Sequence, residues 1–126
     1  MKEEIKQSLK TLASGGTLVY PTDTIWGLGC DATNQAAVKK IYKIKNRSES
    51  KSLIILVDGI AMLQDYVDSI PAIILEFLKT STKPTTVIYN HPISLAPNVV
   101  AADDTVAIRI VQNDFCRALI REFGKP

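Results

Sequence analysis

The 126-residue chain is 46% hydrophobic and 22% charged, with Lys+Arg 15 against Asp+Glu 13 and a net charge of +2. That is the composition of one globular core, and its charge is too small by itself to argue for nucleic acid. No apolar run approaches the roughly 20 residues of a membrane span, and the opening Met-Lys-Glu-Glu is not an apolar leader, so a cytoplasmic protein without membrane contact is expected. Cys30 and Cys116 stand far apart with a single histidine, His91, which leaves neither a disulfide framework nor a zinc site; both cysteines read as buried free thiols.

In chain order, Ile5, Leu9, Leu12 and Ala13 form an apolar stripe at helical spacing, and Gly15-Gly16 stops it. Thr17 to Tyr20 is β-branched and aromatic, a strand whose pairing Pro21 is expected to end. Thr33 or Asn34 can cap a second helix with Ala37, Val38, Ile41 and Ile44 as its apolar face and Lys39, Lys40 and Lys43 on a solvated one. Leu53 to Val57 is an apolar strand. Asp58 can cap a short helix carrying Ile60, Leu63 and Val67, and Pro71 suits the first turn of another carrying Ile74, Leu75 and Leu78. Pro84 to Tyr89 and Thr105 to Val111 read as strands, with the loop Asn90 to Asn98 and an Asp103-Asp104 turn between them. Asn113 caps a last helix bearing Phe115, Leu119, Ile120 and Phe123, ended by Gly124. Helices and strands interleave without repeats or linkers, so one domain spanning 1–126 of the α/β or α+β kind is expected.

Three places carry chemistry. Thr22, Asp23 and Thr24 follow the first strand with two hydroxyls and a carboxylate, and Gly27 and Gly29 would let the backbone turn there or come close to a ligand. Lys45, Arg47 and Lys51 lie in a polar stretch between a helix and a strand, where a planar guanidinium fork and mobile ammonium groups suit a polyphosphate. Arg109 interrupts the apolar strand between Ile108 and Ile110 and needs an anion, an edge position or a solvated face for its five donors. His91 reads as a solvated loop residue. The Gly-x-x-x-x-Gly-Lys-Ser/Thr, Gly-x-Gly-x-x-Gly and Gly-x-Ser-x-Gly patterns are absent, so a P-loop, a dinucleotide fold and a serine-hydrolase elbow have no support.

Tyr-Pro-Thr-Asp-Thr-x-Trp-Gly-Leu-Gly at 20–29, Lys-x-Arg at 45–47 followed by Lys51-Ser52-Leu53, Pro84-x-Thr86, and Val-Ala-Ile-Arg at 106–109 occur in the order seen in YrdC-type threonylcarbamoyl-AMP synthases, which the chain resembles over nearly its whole length. The resemblance implies a twisted, open mixed sheet with flanking helices and a concave basic cleft. It also implies an enzyme that joins L-threonine, bicarbonate and ATP into threonylcarbamoyl-AMP and pyrophosphate for tRNA N6-threonylcarbamoyladenosine formation, with Mg2+ carried on the phosphates. On the matching positions, Thr24 would hold threonine with Thr22 and Asp23 beside it. Lys45, Arg47, Lys51, Thr86 and Arg109 would serve the nucleotide. The chain departs from the family at Asn46, Ser48 and Ser52, and at Thr82-Lys83-Pro84. The family's later Ser-x-Asn motif and the strand before it are also missing here, so a C-terminally truncated chain is expected, with self-association through an exposed sheet edge. Contact with RNA and with tRNA-modification proteins follows from the same resemblance. A noncatalytic RNA- or nucleotide-binding module using Lys45, Arg47 and Arg109 is the alternative; with only 6% aromatic residues it lacks an obvious stacking platform.

Overall fold

The computed structural model describes residues 2–21, 26–45 and 53–126. The elements run α1 (Lys2–Ala13), β1 (Leu18–Pro21), β2 (Trp26–Gly29), α2 (Gln35–Ile44), β3 (Ile54–Val57), α3 (Ile60–Gln64), α4 (Ala72–Thr80), β4 (Thr86–Asn90), β5 (Thr105–Ile110) and α5 (Asp114–Phe123), with a 3-10 turn at Pro97–Val99. Among the described residues β1 and β2 form an antiparallel ribbon, and β3, β5 and β4 form a mixed sheet in that order. β5 is the middle strand, parallel to β3 and antiparallel to β4. The mixed α/β architecture expected from the interleaved pattern is therefore observed.

Period-two alternation gives the mixed sheet two unlike faces. Ile55, Val57, Val106, Ile108 and Tyr89 point into the main core, where they meet Val38 and Tyr42 of α2, Leu63 of α3 and Val99 of the 3-10 turn. Opposite them, the rows Ile54–Ala107–Ile88 and Leu56–Arg109–Thr86 share the other face. A second cluster joins α1 to α5 through Ile5, Leu12 and Leu119, and Val111, Cys116 and Ile120 make a third against Tyr20, Leu56 and Met62.

The caps expected at Asn34 and Asn113 are present: each side chain accepts a backbone N–H three residues on, from Ala37 and Cys116, at 3.1 Å. Gly124 closes α5 in the left-handed conformation, φ 78°, where a side chain would be strained. Other expectations are corrected. Pro21 continues β1 and pairs with Trp26 rather than ending the ribbon. Asp58 does not cap α3; Gly59 does, with no side-chain cap, and the Asp58 carboxylate instead pairs with Arg121 Nε at 3.6 Å. Pro71 precedes α4 as its cap residue instead of opening its first turn. On α2 the buried face is Ala37, Val38, Ile41 and Tyr42, so Ile44, at the margin of that stripe, is 60% exposed.

Candidate functional site

The β1–β2 ribbon forms one wall of a cavity. Leu18↔Gly29 and Tyr20↔Gly27 are in register, so the two glycines lie in a paired strand and not in a turn. The space a side chain would fill at Gly29 is taken by Tyr20: a Cβ there would run into the tyrosine ring. The close approach that Gly29 permits is thus to Tyr20 rather than to a ligand. Tyr20 in turn packs against the buried Val111, Cys116 and Ile120, and burial pushes its phenol well above its ordinary range, with the nearby cysteines adding to the effect.

The cavity is about 410 Å³ and is lined by the ribbon, by α2, by β3, and by the inner side of α5 at Cys116, Leu119, Ile120 and Phe123. Its walls are mainly aliphatic, and among the described residues three cationic side chains, Lys45, Arg109 and Lys125, stand on them. An apolar concavity with a few convergent charges is the usual form of a small-molecule site, and among the described residues every charge lining it is positive. Cys30 and Cys116, not joined in a disulfide, lie on the same walls. Burial, and then the charge of Asp31, pushes the Cys30 thiol up to about 11, so it stays protonated and unreactive near neutral pH.

Arg109 places one of its donors without an edge position. It sits on the middle strand, on the face turned away from the core, opposite Leu56 on one side and Thr86 on the other. Its Nε donates to Thr86 Oγ1 at 3.0 Å. Lys45 follows the last turn of α2, its backbone N–H donating to the Ile41 carbonyl at 3.0 Å, which holds the residue at the cavity margin. Lys45 and Arg109, expected to act together, are thus brought to one cavity, and Thr86 is tied to it through Arg109. Thr22, Asp23, Thr24, Arg47 and Lys51 lie outside the described residues.

Lys125 and Asp31 carried no expectation. Asp31 is buried, and its Oδ1 accepts from the Thr33 backbone N–H at 2.9 Å and the Thr33 hydroxyl at 2.6 Å. Lys125 Nζ lies 3.9 Å from Asp31 Oδ2 and 5.6 Å from the centre of the Phe123 ring, so its charge is already partly spent on the protein. A lone lysine after a helix gives no sequence signal of this placement. His91 lies away from the cavity, exposed, with Nδ1 3.0 Å from Asp104 Oδ2. Lys40, expected on a solvated face, is exposed but donates to the Gly15 carbonyl at 3.0 Å. Among the described residues no cluster of three His, Cys, Asp or Glu could hold a metal ion, and no helix is long and apolar enough to cross a membrane.

Residues 10–126 match the Sua5/YciO/YrdC family model, which carries the description "Telomere recombination". A threonylcarbamoyl-AMP synthase of Saccharophagus degradans is 33% identical over 124 residues, covering 98% of this chain and 65% of the relative. One of Bacillus subtilis is 36% identical over 129 residues, covering 98% of this chain and 36% of the relative. The chain thus spans at most about two thirds of the length of these relatives. Among solved structures, P. abyssi Sua5 complexed with L-threonine superimposes on the whole chain with a TM-score of 0.94 at 25% identity, over 37% of its own length. E. coli YciO does so with a TM-score of 0.87 at 20% identity, over 62% of its length, a likeness of fold. With the family model covering nearly the entire sequence and the fold agreeing throughout, the chain belongs to the Sua5/YciO/YrdC family.

Proposed function

We propose that the chain carries the nucleotide and amino-acid site of a threonylcarbamoyl-AMP synthase, which forms threonylcarbamoyl-adenylate and pyrophosphate from L-threonine, bicarbonate and ATP. The observation that carries this reading is Arg109: a guanidinium on the middle strand of a sheet, on its open face, sharing one apolar-walled cavity with Lys45. Relatives named for that activity at 33% and 36% identity, and a fold neighbour described with L-threonine, support it. Arg47 and Lys51 would add to the phosphate-binding charge, and Thr22, Asp23 and Thr24 would hold threonine.

In this reaction the threonine amine takes up bicarbonate with loss of water to give a carbamate. A carbamate oxygen attacks the α-phosphorus, and the bond from that phosphorus to the pyrophosphate oxygen breaks. Little proton transfer is required of the protein, so orientation and neutralisation of phosphate charge would supply most of the rate. Lys45 and Arg109 suit that work because both are cations that stand on the walls of one cavity, where a polyphosphate would meet them together. Magnesium would travel on the ATP phosphates, and the adenylate would pass to tRNA-modification partners and tRNA in the cytoplasm. Since β3 and β4 are the outer strands of the sheet among the described residues, self-association through one of these edges is part of the reading, and light scattering reads it.

The test is pyrophosphate release. The reading expects release that requires ATP, L-threonine and bicarbonate together. Release that persists when threonine or bicarbonate is omitted, or no release with all three present, contradicts it.

A further inference from the structure

Thr86 and Arg109 are direct cross-strand partners on the open face, and the threonine hydroxyl accepts the arginine Nε–H at 3.0 Å. An arginine presents two bidentate edges to an anion, one made by Nε with an Nη group and one made by the two terminal Nη groups. With Nε committed to Thr86, the first edge is blocked and the guanidinium plane is fixed about its long stem. We infer that Thr86 is a positioning residue: it acts on the ligand through Arg109, turning the terminal Nη pair toward the cavity, and does not itself bind the nucleotide. The inference rests on the nucleotide reading of Arg109 given above. It assigns Thr86 a different role from the direct contact expected from sequence, and it predicts that phosphate oxygens meet Arg109 end-on. Because Thr86 is exposed on an outer strand, its hydroxyl is not needed to satisfy a buried group. The fold has no claim on it that the arginine does not make.

Thr86→Val keeps the side-chain shape and strand preference and removes only the acceptor, whereas Thr86→Ser keeps the acceptor. In the free protein, the Arg109 Nε–H signal in a nitrogen-15 spectrum is expected to be protected from solvent exchange in the wild type and in Thr86→Ser, and to be lost in Thr86→Val. In calorimetric titration with ATP, Thr86→Val is expected to bind about ten-fold more weakly, the size of one hydrogen bond's net contribution, while Thr86→Ser binds as the wild type does. In an Arg109→Lys background, where no Nε exists, Thr86→Val should bring no further loss. An equal loss in both backgrounds would show that Thr86 touches the nucleotide itself and would overturn the inference. So would a Thr86→Val protein that keeps wild-type ATP affinity. A wild-type protein that binds no ATP would instead strike the nucleotide reading, and with it the end-on contact, whatever the Nε–H signal shows.

Discussion

On one face of the β3–β5–β4 sheet, Ile55, Val57, Tyr89, Val106 and Ile108 are between 0 and 4% exposed; on the other, Ile54 and Ile88 are 49% and 70% exposed beside Thr86 and Arg109. The same three strands build both. The first face is closed by α2, α3 and the 3-10 turn, and its residues have only to be apolar and of the right volume. The second keeps apolar side chains exposed and places a charge among them, an arrangement that costs little when a ligand or partner covers it and that marks such surfaces on folded proteins. Within one strand, then, stability and chemistry alternate residue by residue: Ile108 belongs to the first and Arg109, its neighbour, to the second.

Substitutions should separate the two faces. The largest effect is expected at the core face, where Ile108→Ala should lower stability by about 2 to 5 kcal/mol through lost burial and a residual cavity, read as a shift in the denaturation midpoint. On the open face Arg109→Ala should leave the melt of the free protein nearly unchanged and weaken ATP by about 1.5 to 3 kcal/mol, the range for hydrogen bonds to charged groups. A lowered melt with intact ATP affinity would place Arg109 with the core instead. At the ribbon, Gly29→Ala should cost about 1 to 3 kcal/mol by overpacking, because the new methyl group meets the Tyr20 ring; Tyr20→Ala in the same background should remove the clash, and its failure to do so would show that the strain lies elsewhere. Smallest of all, Ile88→Thr should stay within about 0.5 kcal/mol in stability, as exposed substitutions do. A large loss there would mean that the face is covered in the folded protein.

What could be read from the sequence was mostly local. Asn34 and Asn113 were legible as caps because the bond that makes them runs three residues along the chain, and Gly124 because its left-handed backbone excludes most other residues. Asp58 and Ile44 were misplaced because their surroundings are set at long range: Arg121 draws the first, and the burial of Tyr42 turns α2 so that Ile44 falls outside. β2 gave no strand signal, since Trp-Gly-Leu-Gly has glycine at every second position and the pairing depends on Tyr20 filling the space above Gly29. Arg109 shows the limit clearly. The sequence states the conflict, a guanidinium between two isoleucines, but its resolution lies in the register of β4 against β5, which puts Thr86 opposite it.

The central claim is that the nucleotide sits on the open face beside Arg109. Titration of ATP into isoleucine-methyl-labelled protein tests it directly, since Ile54 lines the cavity on that face and Ile108 lies behind it in the core. The account predicts that the Ile54 methyl signal shifts as ATP is added while that of Ile108 holds still, and that Arg109→Ala moves the shift to roughly ten- to hundred-fold higher ATP. A saturable response at Ile108 with Ile54 unmoved, or an Ile54 shift that survives Arg109→Ala at full affinity, would contradict it.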